Sequence, residues 1–197
     1  MTWRHTLRPA MRVAALALAL GAWAGDAIRP ARAAAVAPPP NASDEERPMA
    51  PPFTLRTLEG AQLDLATLLE RGPVLLDFWA TWCKPCVTSL PEVDALSRVY
   101  GPRGLTVVGV SIDGPRNGAR VRPFVSRLKL GYAIGLDEDG SLQQDYRVTA
   151  VPTALLIDRG GHIVLRRQGY LPGEGARLRE ALETLLPAPA TADSATR

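Results

Sequence analysis

The stretch Pro73-Val74-Leu75-Leu76-Asp77-Phe78-Trp79-Ala80, followed by Thr81-Trp82-Cys83-Lys84-Pro85-Cys86, decides how this chain folds. Its first eight residues form an apolar run that reads as a buried strand. After the cysteines, Val87, Leu90, Val93/Asp94 and Leu96/Ser97 recur at helical spacing. Cys83 therefore falls at the mouth of a helix, where unsatisfied amide N–H groups and the helix dipole favour negative charge. A thiol held there ionises more readily, and the thiolate is the nucleophile of thiol–disulfide exchange. Cys86, one turn on, is close enough to attack a mixed disulfide formed by Cys83. A purely structural disulfide across two residues would close almost no loop and add little stability. A structural zinc needs four ligands. The chain has 2 Cys and 2 His, of which His5 lies in a segment read below as cleaved, so no metal site is expected.

Working toward the N terminus, Arg4, Arg8 and Arg12 precede the apolar stretch Val13 to Ala24. Ala22-Trp23-Ala24 and Ala31-Arg32-Ala33 offer cleavage sites. Residues 1–33 thus read as a secretory signal peptide, or failing cleavage as an N-terminal membrane anchor. The implied compartment is periplasmic or otherwise extracytoplasmic, where disulfides persist. The net charge of +3 comes from 23 basic and 20 acidic residues, but the leader holds five arginines against Asp26. Without it the chain has 18 basic and 19 acidic residues, which gives no electrostatic case for a nucleic-acid partner. A lone C-x-x-C outside the cytosol must act on other proteins, because the mature chain has no further thiol.

Residues 34–50 are rich in alanine and proline and read as a linker. Phe53–Leu58 and Ala61–Leu65 alternate around Glu59-Gly60 and suggest a β-hairpin, followed by a short helix from Leu65 to Glu70. The C-x-x-C helix extends to about Tyr100 with Pro91 inside it. Leu105–Ile112 is a second buried strand, followed by a helix from about Asn117 to Leu128, a strand Ala133–Leu136 and a short helix Ser141–Tyr146. Thr153–Asp158 and Ile163–Arg166 form a hairpin around Gly160-Gly161. The last helix spans Gly175–Leu186, and residues 188–197 read as a disordered tail. Strands alternating with helices imply an α/β domain over 51–187, with a mainly parallel sheet and an antiparallel closing edge.

The chain resembles the thioredoxin superfamily and, more narrowly, the exported TlpA/ResA/DsbE-type thiol–disulfide reductases. The residues that carry this are Leu76-Asp77-Phe78-Trp79-Ala80-Thr81-Trp82-Cys83-Lys84-Pro85-Cys86, Pro91, and Val151-Pro152-Thr153. The opening hairpin and the strand and helix inserted between Ile112 and Gln144 point to the exported branch. The resemblance implies a thioredoxin-like fold with a central mixed sheet flanked by helices. It also implies that Cys83 attacks, that Cys86 resolves, and that Val151-Pro152 is a cis peptide beside the site. There the Val151 backbone could pair with an extended substrate. Asp77 stands where thioredoxins keep a buried carboxylate and could take the proton of Cys86; otherwise it is a buried aspartate that binds backbone groups. Trp82, Lys84, Pro85 and Val151 fall on the side a substrate would approach, and Lys84 either favours the Cys83 thiolate or is a solvated surface charge. The chain departs from the pattern twice. Ser89 stands where this branch usually carries a glutamate, and Gly109 matches the position of thioredoxin's strand lysine.

The leading functional expectation is an extracytoplasmic protein-disulfide reductase, needing no cofactor beyond its dithiol. Its partners would be protein disulfide substrates and a membrane electron donor of the DsbD/CcdA type. Cytochrome c maturation and copper-centre assembly are the candidate roles. The alternative is a copper(I) chaperone using the same two thiolates. A peroxidase wants Pro-x-x-x-Thr-x-x-Cys, but Leu76 and Ala80 occupy those positions before Cys83. Arg116, Arg120, Arg122, Arg127 and Lys129 are read as a solvated helix face, and His162 as an exposed turn residue.

Overall fold

The computed structural model describes residues 47–170 and 175–188. The leader at 1–33, most of the linker and nearly all of the C-terminal tail lie outside the described residues. Strands β1 (Thr54–Thr57), β2 (Gln62–Asp64), β3 (Val74–Trp79), β4 (Thr106–Ser111), β5 (Ala133–Leu136), β6 (Thr153–Ile157) and β7 (Ile163–Gln168) form one sheet. Its order is β2-β1-β5-β4-β3-β6-β7. The helices are α1 (Leu65–Arg71), α2 (Lys84–Tyr100), α3 (Gly114–Leu128), α4 (Ser141–Asp145) and α5 (Gly175–Leu185). This is the mixed, helix-flanked sheet the sequence pattern implies. β3, β4 and β5 run parallel, whereas β6–β7 adds antiparallel strands beyond β3. The opening hairpin also joins the sheet antiparallel, through β1 against β5. The sheet therefore has antiparallel pairs at both edges rather than only at the closing one.

β3 is buried along its whole length, which is why it reads as an unbroken apolar run. Its alternation divides two cores. Leu75 and Trp79 join Cys86, Leu90 and Val93 of α2, Val121 and Phe124 of α3, and Leu178 and Leu182 of α5. Leu76 and Phe78 face the other way, onto Leu65 and Leu68 of α1 and onto Leu142 and Tyr146. The ring of Trp79 stacks on Phe124 at 5.3 Å between centroids.

Several expected boundaries move. α3 begins at Gly114 rather than near Asn117. Gly114-Pro115 looks like a loop in the sequence, yet a proline in the first turn costs no hydrogen bond and presets the helical φ. The chain also packs before residue 51. The Pro48 carbonyl accepts from the Ile163 amide at 2.9 Å, the Ala50 amide donates to Gly161 O at 2.8 Å, and Met49 bridges His162. His162 is consequently half-buried, with Nδ1 3.6 Å from Asp158 Oδ1, rather than an exposed turn residue.

Candidate active site

Strand β3 delivers the chain to the N terminus of α2, and Cys83 is the helix's N-cap residue. Lys84 and Pro85 fill the first turn, where proline's missing N–H leaves no bond unmade. Cys83 and Cys86 are joined by a disulfide. The two sulfurs are not equivalent. The Cys86 amide donates to Cys83 Sγ at 3.2 Å, so the atom that caps the helix already has a donor aimed at it. In the dithiol form that donor and the helix dipole stabilise a thiolate on Cys83. Cys83 keeps 4% of its surface exposed and Cys86 none, so a macromolecular disulfide can reach only the first sulfur.

The Val151–Pro152 peptide is cis, in the arrangement the resemblance implies. It brings the Val151 carbonyl oxygen to 3.6 Å from Cys83 Sγ. Pro152 is buried and Val151 half-buried. Around this point Trp82 (60% exposed) and Val87 give apolar surface, and Lys84 and Pro85 are also exposed. The four residues read as substrate-facing thus share the Cys83 end of the molecule. The loop into the helix is held from below by Asp113. Its carboxylate accepts the Thr81 amide at 3.0 and 3.2 Å, the Thr81 hydroxyl at 2.5 Å and the Ser111 hydroxyl at 2.8 Å. Sequence reading missed Asp113, whose only signal was an acidic residue directly after a buried strand.

Beneath the cysteines lies Asp77, between Leu75 and Trp79 on the face of β3 that meets Cys86. It has no exposed surface, and neither carboxylate oxygen has a hydrogen-bond partner. Burial pushes its carboxyl up to about 7, opposed by the positive charge of Arg167. Asp77 is therefore not a carboxylate bound up with backbone amides. Its neighbours in register are Gly109 on β4 and Ala154 on β6. A Cβ at Gly109 would come within 2.8 Å of Ile134 Cδ1 and Tyr132 Cε2 and 3.0 Å of Trp79 Nε1. A strand lysine therefore has no room opposite Asp77, which accounts for that departure. Tyr132 Oη and Trp79 Nε1 are buried without partners in the same region. Ser89, where a glutamate was expected, is buried and donates to the Cys86 carbonyl at 3.3 Å, so it brings no second carboxylate to the pair. Among the described residues no group of three or more His, Cys, Asp and Glu could hold a metal.

Residues 47–166 match the family model described as the AhpC/TSA family. The thiol-disulfide oxidoreductase ResA of Bacillus thuringiensis subsp. konkukian is 31% identical over 138 residues, covering 70% of this chain and 77% of that protein. The thioredoxin-like protein YneN of Bacillus subtilis is 36% identical over 120 residues, covering 60% and 69%. Among solved structures, a thiol:disulfide interchange protein DsbE from Chlorobium tepidum, itself described as putative, superposes with a TM-score of 0.65 at 29% identity. That superposition covers 70% of this chain and 95% of the other. With its cysteine pair at the head of α2, this chain belongs to the AhpC/TSA family, among the thioredoxin-like thiol–disulfide oxidoreductases of ResA/DsbE type.

Proposed function

We propose that this oxidoreductase works outside the cytoplasm as a reductant of protein disulfides, and that Asp77 manages the proton of its resolving thiol. The observation that carries the reading is a fully buried carboxyl with no hydrogen-bond partner, lying under a disulfide of which one sulfur alone is reachable. In the dithiol form, the Cys83 thiolate attacks one sulfur of the substrate disulfide. A Cys83–substrate disulfide forms, and the first substrate thiolate leaves. Cys86 then loses its proton to the Asp77 carboxylate and attacks Cys83 Sγ, which forms the Cys83–Cys86 disulfide and expels the second substrate thiolate. Two electrons pass from the dithiol to the substrate, and the proton on Asp77 is returned to solvent or to a leaving sulfur. The Val151 carbonyl and its flanking backbone offer an extended substrate a strand to pair with, while Trp82, Lys84 and Pro85 meet its side chains.

A membrane electron donor of the DsbD/CcdA type would restore the dithiol, since the described chain holds no second redox centre. Candidate substrates are the disulfides formed by paired cysteines in apocytochrome c or in a copper-centre subunit. Copper(I) carriage by the same pair fits less well, because a metal shared by two thiolates needs both of them accessible. Two measurements test the proposal. Cys86→Ala should accumulate mixed disulfides through Cys83, and mass spectrometry of acid-quenched complexes from the native compartment would name the substrates; recovering none would count against exchange. The redox potential should lie near the reducing value of thioredoxin, about −270 mV, and a value near that of DsbA, about −120 mV, would overturn the assignment as a reductant.

A further inference from the structure

Arg167 lies on β7 and keeps only 4% of its surface exposed. Arginine is rarely so buried without a paired carboxylate. Its Nε has no hydrogen-bond partner. The register explains what it faces: Asp77 on β3 pairs with Ala154 on β6, and Ala154 pairs with Arg167 on β7. The three residues form one row across the sheet, and paired residues project to the same side of it. Leu165, two residues before Arg167 on β7, belongs to the core that contains Cys86, so the guanidinium lies on the active-site side. The residue between the two charged groups in this row is Ala154, whose side chain is a single methyl.

We propose that Arg167 is a positioning residue of the exchange reaction, whose buried positive charge keeps Asp77 able to exist as the carboxylate that accepts the proton of Cys86. This deepens the role proposed for Asp77 and rests on it. Without a cation, a carboxyl sealed under α2 would stay protonated through neutral pH and could accept nothing, because burial alone disfavours its ion. Gly109 leaves no space for a cation on β4, so the charge enters from the opposite side of the row, through β7. The other elements do not replace it. From α2 come Cys86 and Asp94, and Asp94 is already bound by Arg98 and the Gly131 amide. Tyr132 precedes β5 and is neutral, its hydroxyl held protonated by burial first and by Asp77 and Asp94 second. α3 and α5 turn Val121, Phe124, Leu178 and Leu182 to this core and keep their charged residues on the exposed side.

The test follows the carboxyl carbon of Asp77 by NMR titration of the disulfide form, with Asp77→Asn used for assignment. Two strand spacings separate the row's ends by about 10 Å. At an effective dielectric of about 20, Arg167→Met should raise the titration midpoint by roughly one pH unit. Arg167→Lys should restore most of the difference. Arg167→Gln carries the same expectation if the methionine variant does not fold. An unchanged midpoint in the neutral variant, or an equal displacement in Arg167→Lys, overturns the proposal. A second arm loads Cys83 with glutathione as a mixed disulfide and follows its release by Cys86 across pH. The profile should move upward in Arg167→Met by the increment seen at the carbon. If the carbon moves and the profile does not, and Asp77→Asn also leaves the profile intact, the proton role of Asp77 fails together with any part Arg167 has in the reaction. If Asp77→Asn alters the profile but Arg167→Met does not, Asp77 stands and Arg167 is dismissed.

Discussion

Replacing Asp77 by asparagine should stabilise the folded protein at neutral pH and leave it nearly unaffected in acid. In the folded chain burial pushes the carboxyl up to about 7, against an ordinary value of 3.8. Between those values the native state holds a proton that the unfolded chain has released. Unfolding there releases a proton, so stability falls as pH rises, by about 1.4 kcal/mol per pH unit. Over roughly three pH units this amounts to about 4 kcal/mol. The contribution is fully present below about pH 4 and lost once the pH has passed about 7. Asp77 is completely buried, so solvent screening does not discount it. Asparagine keeps the shape and has no proton to lose in this range. The assay is urea unfolding of the disulfide form, wild type and Asp77→Asn, at fixed ionic strength from pH 4 to 8. Asp137, raised by burial, and Glu183, lowered by its bonds to Arg103 and Tyr100, titrate in both proteins and cancel in the difference. The stability difference should widen by about 4 kcal/mol across the range. A difference that stays flat within about 1 kcal/mol would refute the reasoning, since an ionised Asp77 would then be as comfortable in the core as in water.

Three other perturbations follow from contacts around the site. Gly109→Ala drives a methyl to 2.8 Å from Ile134 and Tyr132, and thermal unfolding should show a loss of about 1–3 kcal/mol typical of an overfilled core; an unchanged Tm would mean the strand pair can part freely. Asp113→Ala leaves the Thr81 amide and the Thr81 and Ser111 hydroxyls without their acceptor. It should cost about 2–3 kcal/mol and speed alkylation of reduced Cys83, whereas unaltered alkylation would show that the loop holds itself. Trp82→Ala removes an exposed ring and should change stability by less than about 0.5 kcal/mol. It should nevertheless slow reduction of protein disulfides more than of small ones, and equal slowing of both would deny the ring a part in substrate contact.

Much of this arrangement can be read before any coordinates, and the unreadable part has a common cause. The buried strand, the helix after it and the face of Asp77 follow from local patterns, because alternation along β3 alone decides which side a residue takes. The pairing of Asp77 with Gly109 also follows, once two apolar runs are set in parallel register. Arg167 does not. The hairpin pattern ends at Arg166, and a second arginine beside Gln168 looks like a strand running out into solvent, whereas β7 continues to Gln168. Its burial depends on the helical layer that packs on this face of the sheet, and its facing Asp77 depends on strand order two positions away. Pro48–Ala50 hide in the same manner: nothing in an alanine- and proline-rich run announces the hairpin edge that Ala50 pairs with.

The proposed chemistry and the stability argument meet in a single proton. The protonated form of Asp77 is the one the buried site favours, and it cannot serve as a base. The ionised form can accept the proton of Cys86, and it is the form that weakens the fold. A carboxyl at its ordinary value would be always ionised and a poor acceptor; one raised far beyond neutrality would never be ionised at all. Efficient proton transfer wants the acceptor's pKa close to the working pH, and about 7 is close. Burial under α2 supplies the upward push and Arg167 the restraint. Changing either should therefore shift the pH at which the linked loss of stability ends and the pH at which turnover sets in by the same increment and in the same direction, a correlation that a carboxylate of purely structural use would not show.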